Sequence, residues 1–262
     1  MKKSIHIFLV TAAMLFAQQA QAQSLKEKDI FSHLGAGVSL GTDGIGIEAA
    51  TNITNYVGLR AGVSIIPKIS YSKSNVKYTR NGIDGLGKVD ASLKKIDGKV
   101  LVDVYPFAER HSFHVTVGGF FGSKELVSGY FEEDLASPIN GGISKKVGNA
   151  EWLVNPVDHK VQLRLATNSF KPYVGVGFGR MVPEKRVGVS CDLGVQFHGK
   201  PRLEGYATAR TATGEQHQWV ELEAQDFDFG EKFNDDVDKA LDIIHNVIVY
   251  PVVNIRITGR IF

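Results

Sequence analysis

A single cysteine, Cys191, rules out an internal disulfide, and no cysteine follows the signal region where a lipoprotein carries its acylated residue. Charge excess is missing too. Removing Lys2 and Lys3 from the 30 Lys and Arg leaves 28, equal to the 28 Asp and Glu, so no basic surplus points to nucleic acid. No apolar run approaches the ~20 residues of a helical membrane span. Proline is scarce, at 8 residues against 28 glycines, and 43% of the chain is hydrophobic, a composition suited to many strands linked by tight turns.

What is present begins with Lys2 and Lys3, an apolar run from Ile5 to Phe16, and Ala20-Gln21-Ala22, the small-residue pattern after which signal peptidase cuts. Residues 1–22 are therefore expected to be a signal peptide and residues 23–262 one all-β domain.

Period-two alternation recurs along that domain. Leu34, Ala36, Val38 and Leu40 oppose His33, Gly35, Gly37 and Ser39, and Asp43-Gly44 suits a hairpin turn. Further strands are expected over 45–53, 56–66, 89–105, 113–122, 159–167, 174–179, 187–198 and, more weakly, beyond Pro201. The segments Pro67–Gly87 and Ser123–Pro156 read as long external loops, the first able to form a hairpin. Between Gly214 and Asn246 the alternation stops. Phe233, Val237, Ala240, Leu241 and Ile244 recur at helical spacing, which predicts one short acidic helix over 231–245. The last stretch, Tyr250–Phe262, sets Val253, Ile255, Ile257 and Ile261 against Asn254, Arg256, Thr258 and Arg260. Phe262 falls in phase with the arginines, so the end of that strand is expected to be irregular, or to carry a bulge near Gly259.

Each clear strand has one aliphatic face and one of glycine, hydroxyl and ionised groups. A soluble sandwich carries many large charged residues on its polar face; here that face carries Gly58, Gly62, Gly175, Gly177 and Gly179. Small residues among charges suit a crowded polar interior, the inverted arrangement of an antiparallel up-and-down transmembrane β-barrel, expected to have about 10 strands with 8 as the alternative. Counting every strand as a crossing puts Tyr56, Tyr105, Phe107, Phe113, Phe170, Tyr173, Phe197 and Phe262 on the periplasmic side.

The segments VLVDVYPF (Val100–Phe107), FHVTVGGFF, KPYVGVGFG (Lys171–Gly179), CDLGVQFHGKP (Cys191–Pro201) and the terminal YPVVNI resemble the small Gram-negative outer-membrane β-barrel proteins, porin-like, OmpA-like or OmpW-like. The resemblance spans most of the mature chain as short motifs. It implies the cell outer membrane, outer-membrane lipids as surroundings, and delivery to the assembly machinery through the strand ending in Phe262. It implies no shared chemistry.

The inward-facing charges form the candidate site: Glu48, Arg60, Lys99, Asp103, Lys160, Arg164, Asp192 and Arg256, with Arg202 and Glu204 alongside. Paired charges filling a narrow lumen are one reading, and a small-solute path or ligand site is the other. Ser190 and His198 lie on one strand about 27 Å apart at ~3.4 Å per residue, too far for a nucleophile and its base. His111 and His114 flank a turn with no ligand partner at metal spacing. The expectation is therefore no enzyme, no metal and no cofactor. The role expected is structural or small-ligand-binding, with transport of small solutes or hydrophobic molecules as the alternative and lipid hydrolysis as a distant third.

Overall fold

The computed structural model describes residues 33–80, 83–108, 112–134, 143–147, 150–154, 160–211, 214–223, 239, 242, 246 and 248–261. Its strands are β1 (Leu34–Gly41), β2 (Gly44–Asn52), β3 (Val57–Arg80), β4 (Ile83–Val104), β5 (Phe113–Gly122), β6 (Glu125–Asp134) and β7 (Ile143–Val147). They continue as β8 (Ala150–Val154), β9 (Lys160–Ala166), β10 (Phe170–Phe178), β11 (Val187–Phe197), β12 (Arg202–Thr211), β13 (Gly214–Glu221) and β14 (Val249–Arg260). All pairings are antiparallel.

Eight strands close a ring in the order β3, β2, β1, β14, β11, β10, β5, β4, and β4 returns to β3. Closure leaves these strands no open edge. Eight is the smaller of the two expected numbers, because β9 and β12 leave the ring and pair with β6 and with each other. The alternation foreseen for the ring is present: β10 reads exposed and buried in strict turn, and so does β14 from Pro251 to Thr258. Ile255 and Ile257 are 57% and 53% exposed, and Arg256 between them is 3% exposed. The β1–β14 register runs unbroken through Gly259 to Arg260, so there is no bulge; the strand simply ends there, and Phe262 lies outside the described residues.

β4 shows where the outward polarity changes. Its outward residues Val102, Val100 and Ile96 are aliphatic, while Lys94, Ser92, Asp90 and Lys88 on the same face are polar. Its inward residues reverse the order: Lys95, Asp97, Lys99 and Asp103 are buried within the ring, and Val89, Ala91 and Leu93 follow beyond it. Over Leu86–Ser92, β4 exchanges β5 for β6 as its partner, and a second sheet grows through β6, β9 and β12, with β13 on one side of β12 and the β7–β8 hairpin on the other. That sheet has the usual water-soluble polarity, with Trp152, Val154, Ala207, Ala209, Val220 and Leu222 packed in its core.

Three expected irregular segments contain strands. Pro67–Gly87 continues β3 and begins β4, with register shifts at Ile66/Ile69 and Lys73/Val76; Pro67 sits at the first, where its missing N–H removes no ladder bond. Ser123–Pro156 contains β6, β7 and β8, and Gly214–Glu221 is β13. Charge and glycine hid these strands because their outward face meets water. The 231–245 helix lies mostly outside the described residues; Lys239 and Asp242, which are described, have helical backbone.

The aromatic placement also needs correction. Because β9 is not a crossing, β10 and β11 run opposite to the expected direction. Phe170, Tyr173 and Phe197 therefore lie at the end bearing the β1–β2 turn, away from Tyr56, Tyr105 and Phe113. The outcome is two exposed aromatic rims. Phe121 and Phe170 meet at 4.9 Å on one, and Phe113 and Phe178 at 5.4 Å on the other. Tyr105 and Tyr173 point inward and are buried.

The β1–β2 turn depends on Gly44, whose φ is +103° and where a Cβ would lie 2.3 Å from the Ile65 carbonyl oxygen. Gly44→Val is expected to cost about 1–3 kcal/mol through backbone strain alone, with the clash adding to it. The check is the denaturant midpoint of the refolded protein.

Candidate functional site in the barrel lumen

Period-two alternation aims one side chain in every two at the lumen, so the site is assembled from six strands of the ring. Glu48 comes from β2, Arg60 from β3, Lys99 and Asp103 from β4, His114 and Thr116 from β5, Ser190 and Asp192 from β11, and Arg256 from β14. All are at most 6% exposed. Arg60 is the hub: its Nε lies 3.0 Å from Asp103 Oδ2, and its Nη1 lies 2.9 Å from Asp192 Oδ2 and 3.5 Å from Glu48 Oε2. Arg256 shares two of these carboxylates, with Nε 2.9 Å from Glu48 Oε2 and Nη2 bonded to Asp192 Oδ2. Lys99 Nζ reaches Glu48 at 2.6 Å and Asp43 at 3.2 Å.

Hydroxyl and imidazole groups complete the shell. Thr116 Oγ1 donates to Asp103 at 2.6 Å, Arg256 Nη1 donates to Ser190 Oγ at 3.1 Å, and His114 Nε2 lies 2.8 Å from Asp192 Oδ1. Three cations (Arg60, Lys99, Arg256) thus meet four carboxylates (Asp43, Glu48, Asp103, Asp192). Burying such charges is tolerable only because each has an opposite partner within reach.

Further layers stack along the bore. Leu101, Phe120, Tyr173 and Val252 form an apolar layer, with Phe120 edge-on to Tyr173 at 5.4 Å. Beyond it, Asp97 takes Lys171 at 2.8 Å and Lys95 at 3.0 Å, and Lys95 donates to Gln196 at 3.1 Å. At the opposite end Met181, Val182 and Ala50 cluster, and the Met181 amide donates to the buried Tyr105 hydroxyl at 3.1 Å.

Of the eight expected site residues, six meet in this cluster: Glu48, Arg60, Lys99, Asp103, Asp192 and Arg256. Arg164 does not, since β9 stands outside the ring; its Nη2 lies 2.6 Å from Glu204 on the outward face of the second sheet. Lys160 is on the same strand and so is also outside the lumen. Alternation predicted which face these two residues share but not which sheet β9 joins.

Further residues complete the interior. Asp43, in the expected hairpin turn, folds its side chain back to Lys99. His114 and Thr116 follow from the alternation of β5 and were legible. Lys171 stood in an expected turn and is in fact the second residue of β10. Among the described residues no cluster of three or more His, Cys, Asp or Glu could hold a metal ion. Ser190 Oγ accepts from Arg256, and each carboxylate here has a cation within reach.

No family model and no curated protein matches the chain. Solved structures similar to it include two Acinetobacter baumannii proteins. CarO2 has a TM-score of 0.48 and 18% identity over 87% of this chain and 98% of its own; CarO has the same score and identity over 86% and 96%. A likeness at this level bears on no functional point.

Two measurements check the lumen. Asp192→Ala leaves Arg60 and Arg256 short of a counter-charge and is expected to cost about 3–5 kcal/mol, whereas Arg164→Met outside the ring costs about 1 kcal/mol or less; urea unfolding followed by circular dichroism separates them. At the rim beyond β11, His198 is held below the usual imidazole range by burial and by the Lys95 and Lys171 ammonium groups. The unfolded chain therefore binds the extra proton first as pH falls, so stability is full above the ordinary imidazole pKa and declines below it. His198→Gln is expected to flatten the fall in thermal midpoint between neutral and mildly acidic pH.

Proposed function

We propose that the mature chain is an outer-membrane β-barrel, exported by a signal peptide cleaved after Ala22, with a structural or small-ligand role and no catalytic activity. One observation carries this reading: the ring is inside-out. Val189, Leu193, Val174, Val176, Ile255 and Ile257 are 41–64% exposed on its outer wall, while the lumen is lined by buried ions. In water that wall is an aggregation surface; in a bilayer it is the lipid face. The two aromatic rims support the same placement. Along β10 the rim residues Phe170 and Phe178 are eight residues apart, about 27 Å at ~3.4 Å per residue, and tilting by ~40° brings the band near the hydrocarbon thickness of an outer membrane.

The elaborated end, with the β1–β2 turn and the second sheet, is the external one in this reading, and the short turn at 53–56 is periplasmic. The surrounding partners are membrane lipids and, during assembly, the insertion machinery that receives the C-terminal strand. Side chains fill an eight-stranded bore, and stacked ionic and apolar layers favour a closed barrel over a diffusion pore.

Membrane fractionation with a heat-modifiability gel tests the location. The expected result is a membrane-bound protein whose mobility shifts on boiling; a soluble periplasmic protein with no shift sinks the proposal. Ile257→Arg on the lipid face is expected to destabilise the barrel in vesicles by about 2–4 kcal/mol near the midplane. In planar bilayers the unaltered protein is expected to give no steady conductance, and porin-like currents would refute a filled lumen.

A further inference from the structure

The second sheet has an outward face that neither the barrel nor its filled lumen uses. Its rows follow from the strand register. Asp90 on β4 pairs with Tyr130 on β6, and Tyr130 with Gln162 on β9. Continuing the Leu163–Gly205 pairing by one residue sets Gln162 beside Tyr206, which pairs with Trp219 on β13. The next row on this face is Ser128, Arg164, Glu204 and Glu221, and on the other side of Tyr206 lies the Thr208–His217 pair.

These side chains form an aromatic cluster with polar edges. The Tyr206 and His217 rings are parallel within 4°, their centroids 5.9 Å apart, and Trp219 stands at 64° to Tyr206 as a wall at 5.4 Å. Arg164 stacks on Trp219 at 4.1 Å. Gln162 donates to the Tyr130 hydroxyl at 3.3 Å, and Thr208 Oγ1 lies 2.9 Å from His217 Nδ1. Tyr130 and His217 are exposed, and Tyr206 and Trp219 half-buried. Each ring is therefore braced by its neighbours, and ordering it on binding costs little entropy.

Three classes of partner compete for such a surface. Lipid chains are disfavoured, because Gln162, Arg164, Glu204 and Glu221 interrupt the rings and cannot be left unsolvated. A phosphorylated headgroup is disfavoured as well. Arg164 is already held by Glu204 at 2.7 Å through Nε and 2.6 Å through Nη2, and the carboxylates of Glu204 and Glu221 stand in its row. A neutral sugar fits both halves of the surface. One face of a pyranose ring presents C–H groups that stack on an aromatic plane, and its hydroxyls donate to and accept from planar amide, carboxylate and imidazole groups at the rim.

We propose that the outward face of the β6–β9–β12–β13 sheet is a binding platform for a neutral hexopyranose chain reaching it from the aqueous side. Tyr206 and His217 form its floor and Trp219 its wall. Gln162 and the Arg164–Glu204 pair contact the hydroxyls. The site stands apart from the lumen, so it does not depend on whether the barrel conducts.

The chain has two tryptophans, and Trp152 is buried in the core of the sheet, so Trp152→Phe leaves Trp219 as the sole reporter. The folded protein in a zwitterionic detergent, free of sugar headgroups, is titrated with maltohexaose, cellohexaose and mannohexaose. Calorimetry on the unaltered chain runs in parallel in case Trp152→Phe perturbs folding. At least one of the three is expected to give a saturable change in Trp219 emission and a matching heat. Tyr206→Ala is expected to weaken it at least ten-fold while keeping the heat-modifiable band. Tyr71→Ala, at a 64% exposed tyrosine on the opposite face, is expected to leave it unchanged. The proposal is overturned by no saturable response to any of the three at millimolar concentration, by equal loss in Tyr206→Ala and Tyr71→Ala, or by a response confined to vesicles of a phosphorylated glycolipid.

Discussion

Charge neutralisation inside a closed ring is the constraint on which the rest of this structure depends. Glu48 and Asp192 are each bridged by Arg60 and Arg256, and Arg60 also takes Asp103, so β2, β3, β4, β11 and β14 are tied through side chains as well as backbone. The ring in turn makes the pairing possible. Without closure these ions stand in water, where such contacts contribute little; within it, each is held by fixed partners and none can leave without stranding another. Glycine at Gly62 and Gly177 gives the long side chains their room: a Cβ at Gly62 would lie 2.6 Å from the Glu48 side chain, and one at Gly177 would lie 2.5 Å from Asp192 Oδ1 and from His114 Nε2.

The second organising feature is that β4 belongs to two sheets. From Asp97 to Val104 it pairs with β5 as a wall of the ring, and from Leu86 to Ser92 it pairs with β6. At the crossover the polarity of both faces reverses. The same strand therefore carries an inverted pattern where ions face inward and an ordinary one where apolar groups do. In the membrane placement proposed above, the ring meets lipid and the second sheet meets water, and β4 makes the change within a few residues.

Much of the ring was legible in the chain itself. Alternation located β1, β2, β5, β11 and β14 almost to the residue and assigned Glu48, Arg60, Lys99, Asp103, Asp192 and Arg256 to one interior. It also set Ile255 and Ile257 against Arg256. What it did not reveal was membership. Arg164 and Lys160 alternate on β9 as cleanly as the lumen residues do, because a strand has the same period whichever sheet it enters. Placing β9 among the crossings then reversed the direction of β10 and β11 and put Phe170, Tyr173 and Phe197 at the wrong rim.

The amino-acid sequence by itself determined the all-β class, the faces of the strands and the charges that must be paired, since each follows from a local period and from the cost of an unpaired ion. Only the tertiary structure decided that, among the described strands, eight close into a ring and six do not. It also decided that Asp43 and Lys171 complete the interior and that Tyr206, His217 and Trp219 share one surface. Those outcomes rest on register between distant segments, which is set by how whole faces fit against one another, and no stretch of sequence carries that information alone.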